Sequence, residues 1–228
     1  WDFSDFLTPG ESKSGSWSAG DWFHCNALWY DANTNSVTLS GRHINAMVNI
    51  DYDTGKLNWI LGDPQGWPED LVKRYFFTPV GDEFEWQYEQ HACVITPDGD
   101  VMCFDNGHYR SCDPEKYILN RDNFSRGVRY RINTDDMTIQ QLWQYGKELG
   151  QHFFSKYICN VEYYGEGHYM IHSGGIQYQG ENAMENALPA LRKQKIRFPP
   201  YEGSRGASLG AEALTSPAPC FLFPQRAG

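Results

Sequence analysis

The sequence predicts an all-β fold, because two of its stretches repeat one pattern of short strands and because its strand-like segments favour Val, Ile, Tyr and Trp. Aromatics make up 15% of the 228 residues, with 8 Trp and 14 Tyr. The first repeat opens at His24, turns at Asp31-Ala32-Asn33-Thr34-Asn35, and continues through Val37–Ser40 and Met47–Asp51 to Trp59-Ile60-Leu61-Gly62. The second opens at His91, turns at Asp98-Gly99-Asp100, and continues through Val101–Phe104 and Val128–Asn133 to Trp143-Gln144-Tyr145-Gly146. Several short strands closed by Trp-x-x-Gly are how a β-propeller blade reads in sequence. The expectation is therefore part of a propeller, about two to three blades.

The remaining segments follow from that pattern. Residues 1–20 are rich in Ser and Gly and suit an edge strand followed by a loop. Residues 63–86, with Pro64, Gly66-Trp67-Pro68 and Thr78-Pro79, read as a long insertion between repeats, in which Asp70–Tyr75 supplies a helical turn. An excursion interrupts the second repeat at 111–124. Tyr157–Tyr164, the Gly165-Glu166-Gly167 turn and His168–His172 form the first half of a third blade. Beyond about residue 181 the chain loses its Trp residues and its strand alternation. Residues 1–180 hold 13 Lys and Arg against 25 Asp and Glu, whereas 181–228 are Ala/Pro/Leu/Arg-rich. The reading is a propeller domain over 1–180 and an atypical, disordered tail over 181–228.

Composition narrows the function. A net charge of −10 argues against nucleic acid, since neutralising phosphates needs a basic face. No window is apolar enough to span a membrane, and no signal peptide is visible before Trp1-Asp2-Phe3. The six cysteines show no CxxC and no framework spacing, and they read as small buried hydrophobes on strands.

In a propeller blade the start of the innermost strand and the end of the next lie at one rim. His24 and His91 open innermost strands. Arg42 and His43 follow the second strand of the first repeat, Arg110 follows that of the second, and His172 ends that of the third. His24, His91 and His172, with His43 beside Arg42 and up to two arginines, thus gather at one mouth of the channel, whereas His108, His152 and His168 have no positional echo and read as surface or structural. Imidazoles beside a guanidinium suit a compact oxyanion: Arg offers a fork of donors, and histidine attacks or protonates near neutral pH. A three-histidine zinc site is the rival, with an adjacent arginine against it.

Asp21-Trp22-Phe23-His24-Cys25-Asn26-Ala27, Ser40-Gly41-Arg42-His43, Asn58–Gly62, Gln90-His91-Ala92, Phe104-Asp105-Asn106-Gly107 with Arg110, and Ser125–Val128 together resemble the bacterial arylsulfate sulfotransferases. The resemblance covers about residues 1–180. It implies a six-bladed propeller and transfer of a sulfuryl group from a phenolic sulfate ester to an acceptor phenol, without the nucleotide sulfate donor and with no cofactor or metal. It places active-site histidines at His24 and His91, the arginine at Arg110, and the sulfurylated histidine at His172. His24 or His91 would serve the leaving or accepting phenol with its proton. Asn26, Arg42, His43 and Tyr109 fall where substrate would bind. By the same analogy the site of action is outside the cytoplasm, and homodimerisation of the full-length protein stays open. Two rivals predict differently. A metal-dependent hydrolase using these histidines loses activity to a chelator, and a non-catalytic interaction platform has no turnover to lose.

Overall fold

The computed structural model describes residues 2, 3, 7, 16 and 20–176. The disordered tail expected over 181–228 lies outside them, as does most of the edge strand expected within 1–20. The described chain is all-β apart from one short α-helix and a few 3-10 turns. Among these residues no helix is long and apolar enough to cross a membrane.

The first repeat folds into β1 (Cys25–Asp31), β2 (Ser36–Gly41), β3 (Ala46–Asp51) and β4 (Leu57–Gly62), an antiparallel sheet in chain order. Asp31 closes the β1–β2 turn by accepting from the Asn33 amide and the Thr34 hydroxyl, and Asp51 does the same for Thr54 after β3. These Asx turns are the physical content of the turn residues in the sequence. The 63–86 insertion carries α1 (Glu69–Tyr75), which follows Pro68 and has acidic residues in its first turn and Lys73 and Arg74 in its last. It then contributes β5 (Thr78–Pro79).

The second repeat forms β6 (His91–Ile95), β7 (Val101–Asp105), β8 (Arg126–Asn133) and β9 (Thr138–Tyr145). These strands pair antiparallel in chain order, and β5 joins the outer edge in parallel to β9. A hairpin, β10 (Cys159–Gly165) and β11 (His168–Ser173), completes the described elements.

The three layers stack face to face, and the period-two alternation of the strands shows how. Val48, Ile50 and Ile60 face one side of the first sheet, with Phe76 and α1. Their neighbours Met47, Trp59 and Leu61 face the second sheet, where they meet Cys93, Val101, Cys103, Val128 and Tyr130. Met102 and Phe104, on the other face of β7, meet Phe153 and Val161 under the hairpin. Both faces of β2, β3 and β7 are therefore buried; β7 and most of β3 read as apolar runs, whereas β2 alternates, its buried Ser36 and Thr38 hydroxyls accepting from Asn49. β1 has no such cover: Leu28 and Tyr30 are exposed. Cys25 is exposed too, and Cys112 and Cys159 are only partly covered, so buried strand packing describes Cys93 and Cys103 alone among the described cysteines.

Buried charge ties the second sheet together. Arg126, fully buried, donates to Asp105 at 2.8 Å and to Gln144 at 2.6 Å, and Arg129 donates to Asp100 at 2.8 Å. Paired in this way, the ions avoid the penalty of isolated burial.

Candidate active site

The end of each sheet that holds the strand starts also collects the candidate residues. Cys25 pairs with Gly41 at the edge of the β1–β2 ladder, and the chain continues the pairing beyond it. The Arg42 amide donates to the His24 carbonyl at 3.1 Å and the His43 amide to the Phe23 carbonyl at 3.2 Å. A 3-10 turn over Arg42–Ile44 then carries the chain to β3. His24 and His43 come to lie ring over ring, with centroids 4.6 Å apart and planes 31° apart.

Each ring has defined partners. His24 Nδ1 lies 2.5 Å from Asp21 Oδ2. His43, buried, has Nδ1 2.6 Å from the Asp21 carbonyl and Nε2 3.0 Å from Arg42 Nη1. A carbonyl only accepts and a guanidinium only donates, so His43 carries its hydrogen on Nδ1 and is neutral. Burial lowers its pKa, the Asp21 carbonyl opposes that, and Arg42 adds to it.

Arg42 reaches into the second sheet's entry, donating to Glu89 Oε2 at 2.5 Å and to the Lys156 carbonyl at 3.3 Å. Glu89 is fully buried and also faces His108 Nδ1 at 3.1 Å. His108 in turn stacks on Tyr109 at 3.9 Å, and Tyr109 on Tyr117 at 4.5 Å. His108, which the sequence assigns to surface or structure, therefore belongs to this cluster.

His91 opens β6 opposite Phe104, and Asn106 follows just past the pairing. Its Nδ1 lies 2.8 Å from Asn106 Oδ1, and its Nε2 accepts the Ile158 amide at 3.3 Å. Burial drives the His91 pKa down to about 4. The Asn106 hydrogen bond opposes this, and the nearby Arg42 and His24 reinforce it. Asn26, on β1, donates to the Gln90 carbonyl at 2.7 Å. Its Oδ1 and the Nε of Arg42 are buried and meet no partner among the described residues.

The structure thus brings His24, His43, Arg42 and His91 into one group, with Asn26 at its edge and Tyr109 joined to it through Glu89 and His108. Arg110 points elsewhere. Its guanidinium donates to Asp105 at 2.9 Å, Asn123 at 3.2 Å and the Phe124 carbonyl at 2.8 Å, and lies 3.6 Å over the Phe124 ring. His172 sits on β11 opposite Asn160 and is exposed. Its neighbour Ile171 packs towards Gly127 of the second sheet, so alternation turns His172 to the opposite face of the hairpin.

The backbone at this end is unusual. His24, Glu89, Ala92, Tyr109, Arg110 and Ile158 are non-glycine residues with φ between 45° and 62°. Left-handed backbone costs an L-residue free energy, and such outliers gather where function constrains the chain. Sequence reasoning missed Asp21, Glu89 and Asn106 as partners of the candidate rings.

Asp21, His24 and His43 have ligand atoms within 4.8 Å of one another, the spacing of a metal site. The arrangement does not suit a cation. Both His43 nitrogens are committed, one of them to the Arg42 guanidinium. A cavity of about 520 Å³ lies at the opposite end of the sheets, lined by residues such as Asp31, Trp59 and Asp98, and touches none of this group.

Stacked antiparallel sheets make this an all-β domain, with a histidine–arginine cluster gathered at the strand starts. The chain matches the arylsulfotransferase (ASST) family over residues 1–198, and it belongs to that family. It is 32% identical over 184 residues to the arylsulfate sulfotransferase AssT of Escherichia coli O6:H1 (strain CFT073), covering 74% of this chain and 30% of that protein. It is 33% identical over 172 residues to the arylsulfate sulfotransferase AssT of Lelliottia amnigena, covering 68% of this chain and 28% of that one. The chain thus spans less than a third of the length of these curated relatives.

Proposed function

We propose that the stacked sheets are blades of a six-bladed propeller and that their shared rim is part of an active site moving a sulfuryl group between phenols. The observation that carries the reading is the convergence of His24, His43, Arg42 and His91 at one end of two repeats, within a chain that matches the arylsulfotransferase family.

In the first half-reaction, as the resemblance implies, a ring nitrogen of His172 attacks sulfur, which requires the exposed face of the hairpin to border the same rim. The bond from sulfur to the aryl oxygen breaks, and the aryl oxide leaves with a proton supplied at the rim. In the second, the acceptor phenol's oxygen attacks the sulfohistidine, the nitrogen–sulfur bond breaks, and the phenolic proton returns to the rim. Charge on the sulfuryl oxygens is met by guanidinium donors. Arg42 faces the histidines. The resemblance gives Arg110 the same role, which requires its guanidinium to turn towards the rim from Asp105, Asn123 and Phe124. The donor and acceptor are a phenolic sulfate and a phenol, and the resemblance gives Asn26, His43 and Tyr109 to their binding.

The test is phenol release from an aryl sulfate, with and without a second phenol, and with neither nucleotide nor metal added. The expected result is acceptor-dependent release with sulfate on the acceptor, unchanged by a chelator. Without acceptor, the protein should gain the mass of one sulfuryl group at His172. A His172→Asn protein that still acquires the group, or still transfers it, refutes the nucleophile assignment. Loss of activity to a chelator, restored by zinc, would instead establish the hydrolase.

A further inference from the structure

The two histidines that open β1 and β6 are equivalent by position but are held by chemically different partners. We propose, on the reading above, that Asp21 is a positioning residue that commits His24 to carrying the reaction's proton, while Asn106 holds His91 as a neutral ring that does not.

The argument begins with hydrogen positions. A carboxylate only accepts, and the bond from His24 keeps Asp21 below the ordinary carboxylate range, so His24 Nδ1 carries the hydrogen across the 2.5 Å contact. His24 Nε2 is then a bare lone pair. When it takes a proton, the imidazolium has a negative charge already at its back, the arrangement by which a carboxylate orients and supports a catalytic imidazole.

His91 lacks that support. Asn106 Nδ2 donates to the Ser155 carbonyl at 2.6 Å, which leaves Oδ1 to accept from His91 Nδ1. The amide is neutral and fully buried. On the far side of the ring the Ile158 amide points its hydrogen at Nε2. A proton on Nε2 would face that hydrogen, and the cation would sit within electrostatic reach of Arg42 and His24.

His43 does not compete for the role. Its Nδ1 hydrogen is given to the Asp21 carbonyl, and its Nε2 lone pair is occupied by Arg42. The groups facing His24 are Asp21, His43, Arg42 and His91. The side chains of His24 and Asp21 are 39% and 47% exposed, so the dyad opens to a phenol at the rim. In the second half-reaction His24 Nε2 takes the phenolic proton as oxygen bonds to sulfur and the nitrogen–sulfur electron pair returns to His172. In the first, a proton that Nε2 has taken up from solvent, or kept from the preceding turnover, passes to the departing aryl oxide and leaves His24 as the neutral Nδ1–H ring that the second half-reaction needs.

The test reads the tautomer directly, by two-bond 1H–15N correlation of the ¹⁵N-labelled histidine rings. The native chain should show His24 as the Nδ1–H tautomer at neutral pH. Asp21→Ala should move it towards Nε2–H and leave His43 and His91 unchanged, because the backbone carbonyl that holds His43 and the amide that holds His91 remain. Those two rings report folding within the same spectrum. Asp21→Glu, which returns a carboxylate, should restore the native pattern in part, and it serves where the Ala variant does not fold. A native His24 found as Nε2–H, or one indifferent to residue 21, overturns the inference. In a preparation that transfers sulfuryl groups, Asp21→Ala should lower kcat about 10- to 100-fold with KM for the aryl sulfate within about twofold. An effect confined to KM overturns the proton role. Absence of transfer by the native protein counts against the proposed function, while the spectrum still decides what Asp21 does to His24.

Discussion

Acidification should weaken the fold through His91, by an amount that follows from where the ring sits. Its pKa is held near 4, against an ordinary 6.5, mainly because burial disfavours the imidazolium. Below pH 6.5 the unfolded chain binds a proton that the folded chain refuses, so acid favours unfolding. The loss begins as pH falls through about 6.5 and is complete near pH 4. At about 1.4 kcal/mol per pH decade it totals at most about 3 kcal/mol, since the ring keeps some contact with solvent. Urea denaturation from pH 7 to pH 4 would be compared between the native chain and His91→Gln. Carboxylates common to both proteins largely cancel in the difference, which isolates His91. The native protein should lose stability faster than the variant across that window, by up to about 1.4 kcal/mol per pH unit. A difference that stays flat from pH 6.5 to 4 refutes the claim that His91 is held neutral by its surroundings.

Two other substitutions test the scaffold around the site. Gly107→Ala places a methyl group 2.5 Å from the Phe124 carbonyl at a φ of +71°, and presses on the Arg110 guanidinium. It should cost about 2 kcal/mol in a denaturation midpoint, because strained backbone and a displaced arginine add. Arg126→Met leaves fully buried Asp105 with Arg110 as its remaining cation, and should cost about 3 kcal/mol in thermal or urea unfolding. A variant as stable as the native chain would show that Arg110 suffices.

What the sequence reveals depends on how far apart the cooperating residues lie. The strands of both repeats announce themselves through apolar runs and turn residues, since those signals are local. β5 does not: Thr78-Pro79 is too short to carry a pattern, and it is a strand only because β9 offers an edge. The rim positions of His24, His91 and Arg42 follow from the repeat. Their partners do not, because Glu89 meets Arg42 across 47 positions and Ser155 meets Asn106 across 49. The contact between His24 and Asp21 spans only three residues, yet an aspartate ahead of a strand is too common to mark it. The fate of Arg110 was hidden for another reason. Its left-handed backbone, with Tyr109 before it, turns the guanidinium back onto Asp105, and no residue pattern signals such a turn outside glycine.

The rim group draws its members from three successive layers: His24, His43 and Arg42 from the first sheet, Glu89, His91 and Asn106 from the entry and edge of the second, and the Ile158 amide from the start of the hairpin. No layer holds a working share alone. A shift of one layer against the next by a single side-chain spacing would part buried Glu89 from Arg42, and would take the Ile158 amide from His91. The geometry of the rim group is therefore a reporter of docking, sensitive to slippage that the strands themselves would survive. Agents that loosen the stack should change the His91 ring signals while circular dichroism still records intact sheets.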